Sequence, residues 1–214
     1  MIKIVFYCAL LAVSIGGRDF RAHAESAYRK HVGPCHIEQA GGYNALVEIS
    51  AKSKTVIGVD AVVDYKTEPS IAFDFPGGTL ADLLDMFLSQ APGYRWDETD
   101  DGVIHVSRSD HDLSALKNLA ISYPGAENKT REEIWEDLAN RPEISDWLKS
   151  AQCTRQEFFN GKEFKNHNGR ISIPPGSVTL SQLLDKAAAD SGENYWAILK
   201  SNSDASCRIS IHLW

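Results

Sequence analysis

The residue types best able to do chemistry lie in two short clusters. "HVGPCHIEQ" puts His31, Cys35, His36 and Glu38 within eight residues, a donor set that suits a soft metal ion. Zinc sites draw a second ligand pair from elsewhere in the chain, and no later pair has the spacing. The segment therefore reads as an N-terminal loop tied down by a disulfide, with no metal expected. "HVSRSDHD" offers His105, Asp110, His111 and Asp112, which could serve as acid, base or ligand, but its polar composition reads as a solvated connector. No glycine-flanked serine elbow is present, and the cysteines are better accounted for by oxidation, so no catalytic residue and no cofactor is expected. "FPGG" before Thr79 has the glycines of an anion cradle at a helix start. It lacks a following lysine, and its counterpart "PPGS" carries no such loop, so it reads as a turn.

What positions these residues is a sentence written twice. "IAFDFPGGTLADLLD" at 71–85 returns, without a gap, as "ISIPPGSVTLSQLLD" at 171–185, and Trp96 matches Trp196. Thr79 with Asp82, and Thr179 with Gln182, have the spacing of a capping box, so both mark helix starts. The apolar sets Leu80, Leu83, Leu84, Phe87 and Leu180, Leu183, Leu184, Ala187 follow at helical period. Asp85 and Asp185 fall beside these stripes, on what reads as each helix's wet edge. Alternating runs flank both helices: "SIAFDF" and "RISI" before, "YRWDET" and "YWAILK" after, "GVIHVS" and "CRISIHLW" last. Ahead of the first copy stand a helix, "YNALVEISAKS", and a strand, "TVIGVDAVV". Ahead of the second stand "TREEIWEDLAN", with a Thr130–Glu133 capping box, and "PEISDWLKS", with Pro142 suited to a first turn. Trp135 and Trp147 on these nonrepeating helices are the expected binding surface, since exposed aromatic rings offer contact area at low entropy cost.

The fold class expected is α+β, as two tandem small modules of two helices each, packed on short two- or three-stranded sheets. The boundaries are 1–24 for an export signal, 25–114 for the first module, and 115–214 for the second with its extra helical segment. Residues 1–24 carry basic Lys3, an apolar run from Ile4 to Ile15, and Ala22-His23-Ala24, so cleavage is expected after Ala24. Cutting there leaves 19 basic and 28 acidic residues, a net charge of −9. That balance disfavours nucleic acid and anionic lipid as partners, and no later run reaches membrane-spanning length. Of Cys35, Cys153 and Cys207, an oxidising compartment should close one pair. Three pairings are open, and the one expected joins Cys153 to Cys207, since both lie in the second copy.

The order of elements from Ala45 to Ser107, with the helix start Gly77-Gly78-Thr79-Leu80 running to Leu83-Leu84-Asp85, the aromatic strand at Tyr94 to Trp96 and the "GVIHV" strand at Gly102 to Val106, resembles the short N-terminal domain shared by secretins and TonB-dependent receptors. A similar module closes anti-sigma regulators of the iron-dicitrate type. The resemblance implies a small periplasmic docking module that grips an envelope protein by surface and strand-edge contacts. It implies no oligomeric state, and in those families the module is joined to a barrel or ring. The alternatives are a secreted hydrolase using His105, Asp110 and His111, or a ligand-binding protein with an aromatic pocket at Trp96 or Trp196.

Overall fold

A computed structural model describes residues 26–63, 68, 70–108, 113–156, 169–201 and 206–213. After a 3-10 turn at Ala27–Arg29, the first half runs β1 (His31–Val32), β2 (Cys35–Ala40), α1 (Gly42–Ser53), β3 (Ile57–Val62), β4 (Ser70–Phe75), β5 (Gly78–Thr79), α2 (Leu80–Gln90), β6 (Tyr94–Glu98) and β7 (Ile104–Arg108). The second runs α3 (Ser114–Lys117), β8 (Ala120–Tyr123), β9 (Ala126–Lys129), α4 (Arg131–Ala139), α5 (Pro142–Ser150), β10 (Cys153–Arg155), β11 (Ile171–Ile173), β12 (Gly176–Thr179), α6 (Leu180–Ser191), β13 (Tyr195–Ser201) and β14 (Cys207–Leu213). The protein is a mixed α+β fold, with six α-helices among the described residues.

The helix starts follow the expected physics. Thr79, Thr130 and Thr179 each accept the amide of the residue three on, while Asp82, Glu133 and Gln182 reach back to the cap amide, so two otherwise orphaned donors are satisfied at each start. Pro142 opens α5 where its missing N–H costs nothing. At the C-terminus of α6, Gly192 takes the left-handed conformation at φ 77° that ends a helix without a Cβ clash.

The sheets differ from the expectation of short two- or three-stranded ones. One central six-stranded sheet runs β10-β14-β13-β3-β7-β6 and draws three strands from each half. The joint is β3 on β13, parallel, with Ile57 to Val62 opposite Tyr195 to Lys200. Each of these two strands would otherwise be a margin, and their side chains are apolar on both faces, so leaving either unpaired would expose both backbone and hydrocarbon. Alternate residues therefore enter different cores. Ile57, Val59, Ala61, Tyr195, Ala197 and Leu199 pack beneath α1 and α2. Trp196, Ile198, Ile209, Ile211 and Leu213 pack beneath α6, α4 and α5 on the other face. Helices thus cover both sides of one sheet, and every residue of β3 is buried. Four two-stranded pairs complete the fold: β1-β5, β2-β4, β8-β12 and β9-β11. The expected N-terminal loop at 31–39 is therefore mostly strand, β1 and β2 on either side of Gly33-Pro34, with β2 running along the whole of β4 in register from Cys35–Phe75 to Ala40–Ser70.

Cys153 and Cys207 form a disulfide, as expected, and it ties β10 to β14 across a separation of 54 residues. Closing a loop of that length contributes about 4 kcal/mol in the chain-entropy account. Among the described residues no helix is long and apolar enough to cross a membrane. The expected export signal lies outside the described residues.

Candidate functional site

The polar groups that fold into the interior gather where the halves meet. Gly58, His105 and Trp196 are cross-strand neighbours on β3, β7 and β13, and the next layer on the same face holds Asp60, Ser107 and Ile198. Gly58 is required there by close approach: a Cβ would stand 2.2 Å from the Trp196 ring. The indole lies over the glycine and meets the His105 ring edge-on, with centroids 5.3 Å apart.

Asp185, from α6, closes this layer from above. It accepts the Trp196 indole N–H at 2.6 Å and lies 3.0 and 3.1 Å from His105 Nε2 through its two oxygens. All three residues are buried. The expectation of a wet edge therefore fails for Asp185, because its helix lies over the middle of the sheet. It holds for Asp85, which is exposed and receives the Trp96 indole N–H at 3.1 Å near the margin. His105 is likewise no part of a solvated connector, since its strand has β3 on one side and α6 above.

One layer along, Asp60 accepts the Ser107 hydroxyl at 2.6 Å and pairs with Lys117 Nζ at 3.0 Å. The carboxylate thus holds both the hydroxyl hydrogen and the ammonium. Such an arrangement knits α3 to β3 and β7. A nucleophile needs its hydrogen directed at a base and a path for substrate, whereas here the serine is buried and bonded to a fixed anion. Asp110, His111 and Asp112 lie outside the described residues, so the constellation with His105 is not assembled among the described ones.

At the first cluster, His36 Nδ1 lies 2.8 Å from Asp74 and its Nε2 3.3 Å from Glu38, all on the exposed face of β2 and β4. These two carboxylates, Asp74 first, push the His36 pKa up. His31 pairs with Thr79 on the short β1-β5 ladder. Cys35 is a free, half-buried thiol whose pKa is pushed up chiefly by burial. Among the described residues no three His, Cys, Asp or Glu side chains converge as a cation site. At the "FPGG" turn the Asp82 carboxylate takes the Thr79 backbone and hydroxyl donors at 2.8 and 2.7 Å, so the anion position of that helix start is filled by the chain's own side chain.

Trp135 and Trp147 are half-buried and pack against the core beneath α4 and α5. The Arg155 guanidinium lies 5.7 Å from the Trp135 ring centre. The cavity beside it, lined by Leu138, Ile144, Leu148 and Ile211, has a volume of about 10 Å³, enough for one water at most.

The remaining feature is the sheet's own margin. Beyond β7 lies β6, five residues with β7 as its only strand neighbour among the described residues. Thr99, just past its end, donates its N–H inward to Val103 O, so by strand alternation the backbone groups of Glu98 and Trp96 point away from β7. Arg95 and Asp97 are exposed on the strand. Charged side chains of this kind blunt an edge against indiscriminate pairing while leaving its hydrogen-bonding groups available. The sequence signal that separates this edge from β13 is charge: both strands begin from the same motif, but β6 carries Arg95 and Asp97 where β13 runs apolar from Tyr195 to Leu199.

Comparison with protein-family models, with curated proteins and with solved structures finds no match for this chain.

Proposed function

We propose that this chain is an exported docking protein of the bacterial envelope, built from two copies of one α+β unit, which grips a protein partner along β6. The observation that carries the reading is β6, the longer of the two outer strands of the central sheet among the described residues, the other being three-residue β10, while β3 and β13 are consumed in the internal joint. Strand addition supplies backbone hydrogen bonds for affinity and side-chain positions for choice of partner. The proposed duplication is supported by pairing as well as by sequence. β1-β5, β2-β4, the parallel β3-β7 pair and the antiparallel β6-β7 pair have counterparts in β8-β12, β9-β11, β10-β14 and β13-β14. The disulfide accords with the oxidising compartment that the expected export signal implies. The resemblance to secretin and TonB-receptor N-terminal domains is the family form of the same reading.

A photo-reactive residue at Asp97 tests it in intact cells. The reading expects a discrete crosslinked envelope protein that disappears when Glu98 is replaced by proline, which removes an outward N–H, and persists in Glu98→Ala, which removes only the carboxylate that accepts the Ala27 N–H. Crosslinking indifferent to Glu98→Pro, or no crosslinked protein, rejects it.

A further inference from the structure

The chain already contains one strand docked on the counterpart of β6. Trp196 matches Trp96 at a spacing of 100, and each indole is held by the aspartate eleven residues before it, Asp185 at 2.6 Å and Asp85 at 3.1 Å. β13 and β6 each pair antiparallel with the strand that follows them. On its other side β13 carries β3, in parallel, with Ile57 N–H donating to Asn194 O and Val63 N–H to Lys200 O. Even-numbered backbone groups of β13 therefore face the added strand, as those of β6 face outward. Opposite Trp196, β3 places Gly58, the one residue small enough for the ring to lie across it.

We propose that β6 accepts an extended segment of a separate protein, running parallel to β6, with a glycine opposite Trp96. The inference rests on the docking reading of β6 and adds its direction and its side-chain rule. The physical reason is that Asp85 fixes the Trp96 indole from the helix side and the Tyr28 ring packs against it with centroids 6.1 Å apart, so a bulky residue on an incoming strand would meet a ring held in place, whereas a glycine leaves room for backbone pairing on both sides of it. Arg95 and Asp97, alternating with Trp96, project to the other face and would read charges on the segment's flanking positions without deciding the glycine.

The probe is a labelled peptide with the sequence of residues 54–63, "KTVIGVDAVV", carrying extra C-terminal lysines for solubility, titrated into the processed chain. Binding is followed by fluorescence polarisation, and its place by amide shifts in isotope-labelled protein. The expected result is saturable binding that shifts β6 and β7 amides, is lost in Glu98→Pro protein, and weakens about tenfold when the peptide glycine becomes valine. In Trp96→Ala protein the two peptides should bind alike, a change that a merely structural role for Trp96 would not produce. A spin label at the peptide N-terminus should broaden amides near Tyr94. Broadening near Glu98 instead means antiparallel addition and overturns the inference. Shifts confined to β13 mean exchange with the native β3 and also overturn it. Sedimentation showing a second copy of this chain on β6, with Glu98→Pro restoring the monomer, overturns it too. Failure of the peptide with a Glu98-dependent crosslink from Asp97 rejects this inference and leaves the docking reading standing. Peptide binding without such a crosslink rejects the docking reading and this inference with it, leaving only the pairing capacity of the edge.

Discussion

The indole of Trp196 lies across Gly58 so closely that a Cβ on the glycine would stand 2.2 Å from ring atom Cζ2 and 2.3 Å from Cε2. This contact sits on the parallel joint that makes one sheet of two halves, so the size of residue 58 decides whether the ring and the strand can both keep their places.

Gly58→Ala is expected to destabilise the protein by about 2 kcal/mol, because the ring is boxed in by Asp185, His105 and the neighbouring strands and has nowhere to move. Urea unfolding measures it. Pairing the change with Trp196→Leu should recover part of the loss, and a strictly additive double mutant would contradict the packing account.

Asp185→Ala and Asp85→Ala separate the two tryptophan bonds. The first leaves a buried indole N–H and His105 without their carboxylate, which costs about 3 kcal/mol. The second removes an exposed partner and is expected to cost under about 1 kcal/mol. Equal losses in urea titrations would show that burial of Asp185 is not what matters.

His212 sets an acid limb. Burial pushes its pKa down to about 4 from 6.5, so folding favours the neutral ring. The contribution is fully present above pH 6.5 and is lost as pH falls toward 4, where charging the buried ring costs up to about 3 kcal/mol. His212→Gln should flatten the stability profile between these values, read from thermal midpoints at a series of pH.

Reduction tests the staple. In the processed chain, alkylation of the unfolded, unreduced protein should label Cys35 alone, and Cys153→Ser with Cys207→Ser should lower stability by about 4 kcal/mol. Two labelled thiols beyond Cys35 in the unreduced protein would show the bridge to be open.

Much of the local structure was legible because it is local. Capping boxes at Thr79, Thr130 and Thr179, the apolar stripes of α2 and α6, and the alternating runs of β4, β6, β7, β13 and β14 are set by contacts within a few residues. The strands β1, β2, β5, β8, β9, β10 and β12 were missed, since such short runs become strand only by pairing with partners far along the chain. The candidate site was legible only as a type of edge. Two strands grow from one motif, at Trp96 and Trp196; the charges at Arg95 and Asp97 against the apolar run Tyr195 to Leu199 mark which is covered, but nothing local says which strand does the covering.

By itself the sequence determined the duplicated helix starts and the α+β class, and it favoured Cys153 with Cys207 among three open pairings, which the structure settled. The tertiary structure alone decided that β3 and β13 share a ladder, which turned Asp185 and His105 inward and left Asp85 in water. Sequence patterns record which faces of an element are apolar. They do not record which other element, a hundred residues away, arrives to cover them, because that choice rests on the fit of whole surfaces such as an indole over a glycine.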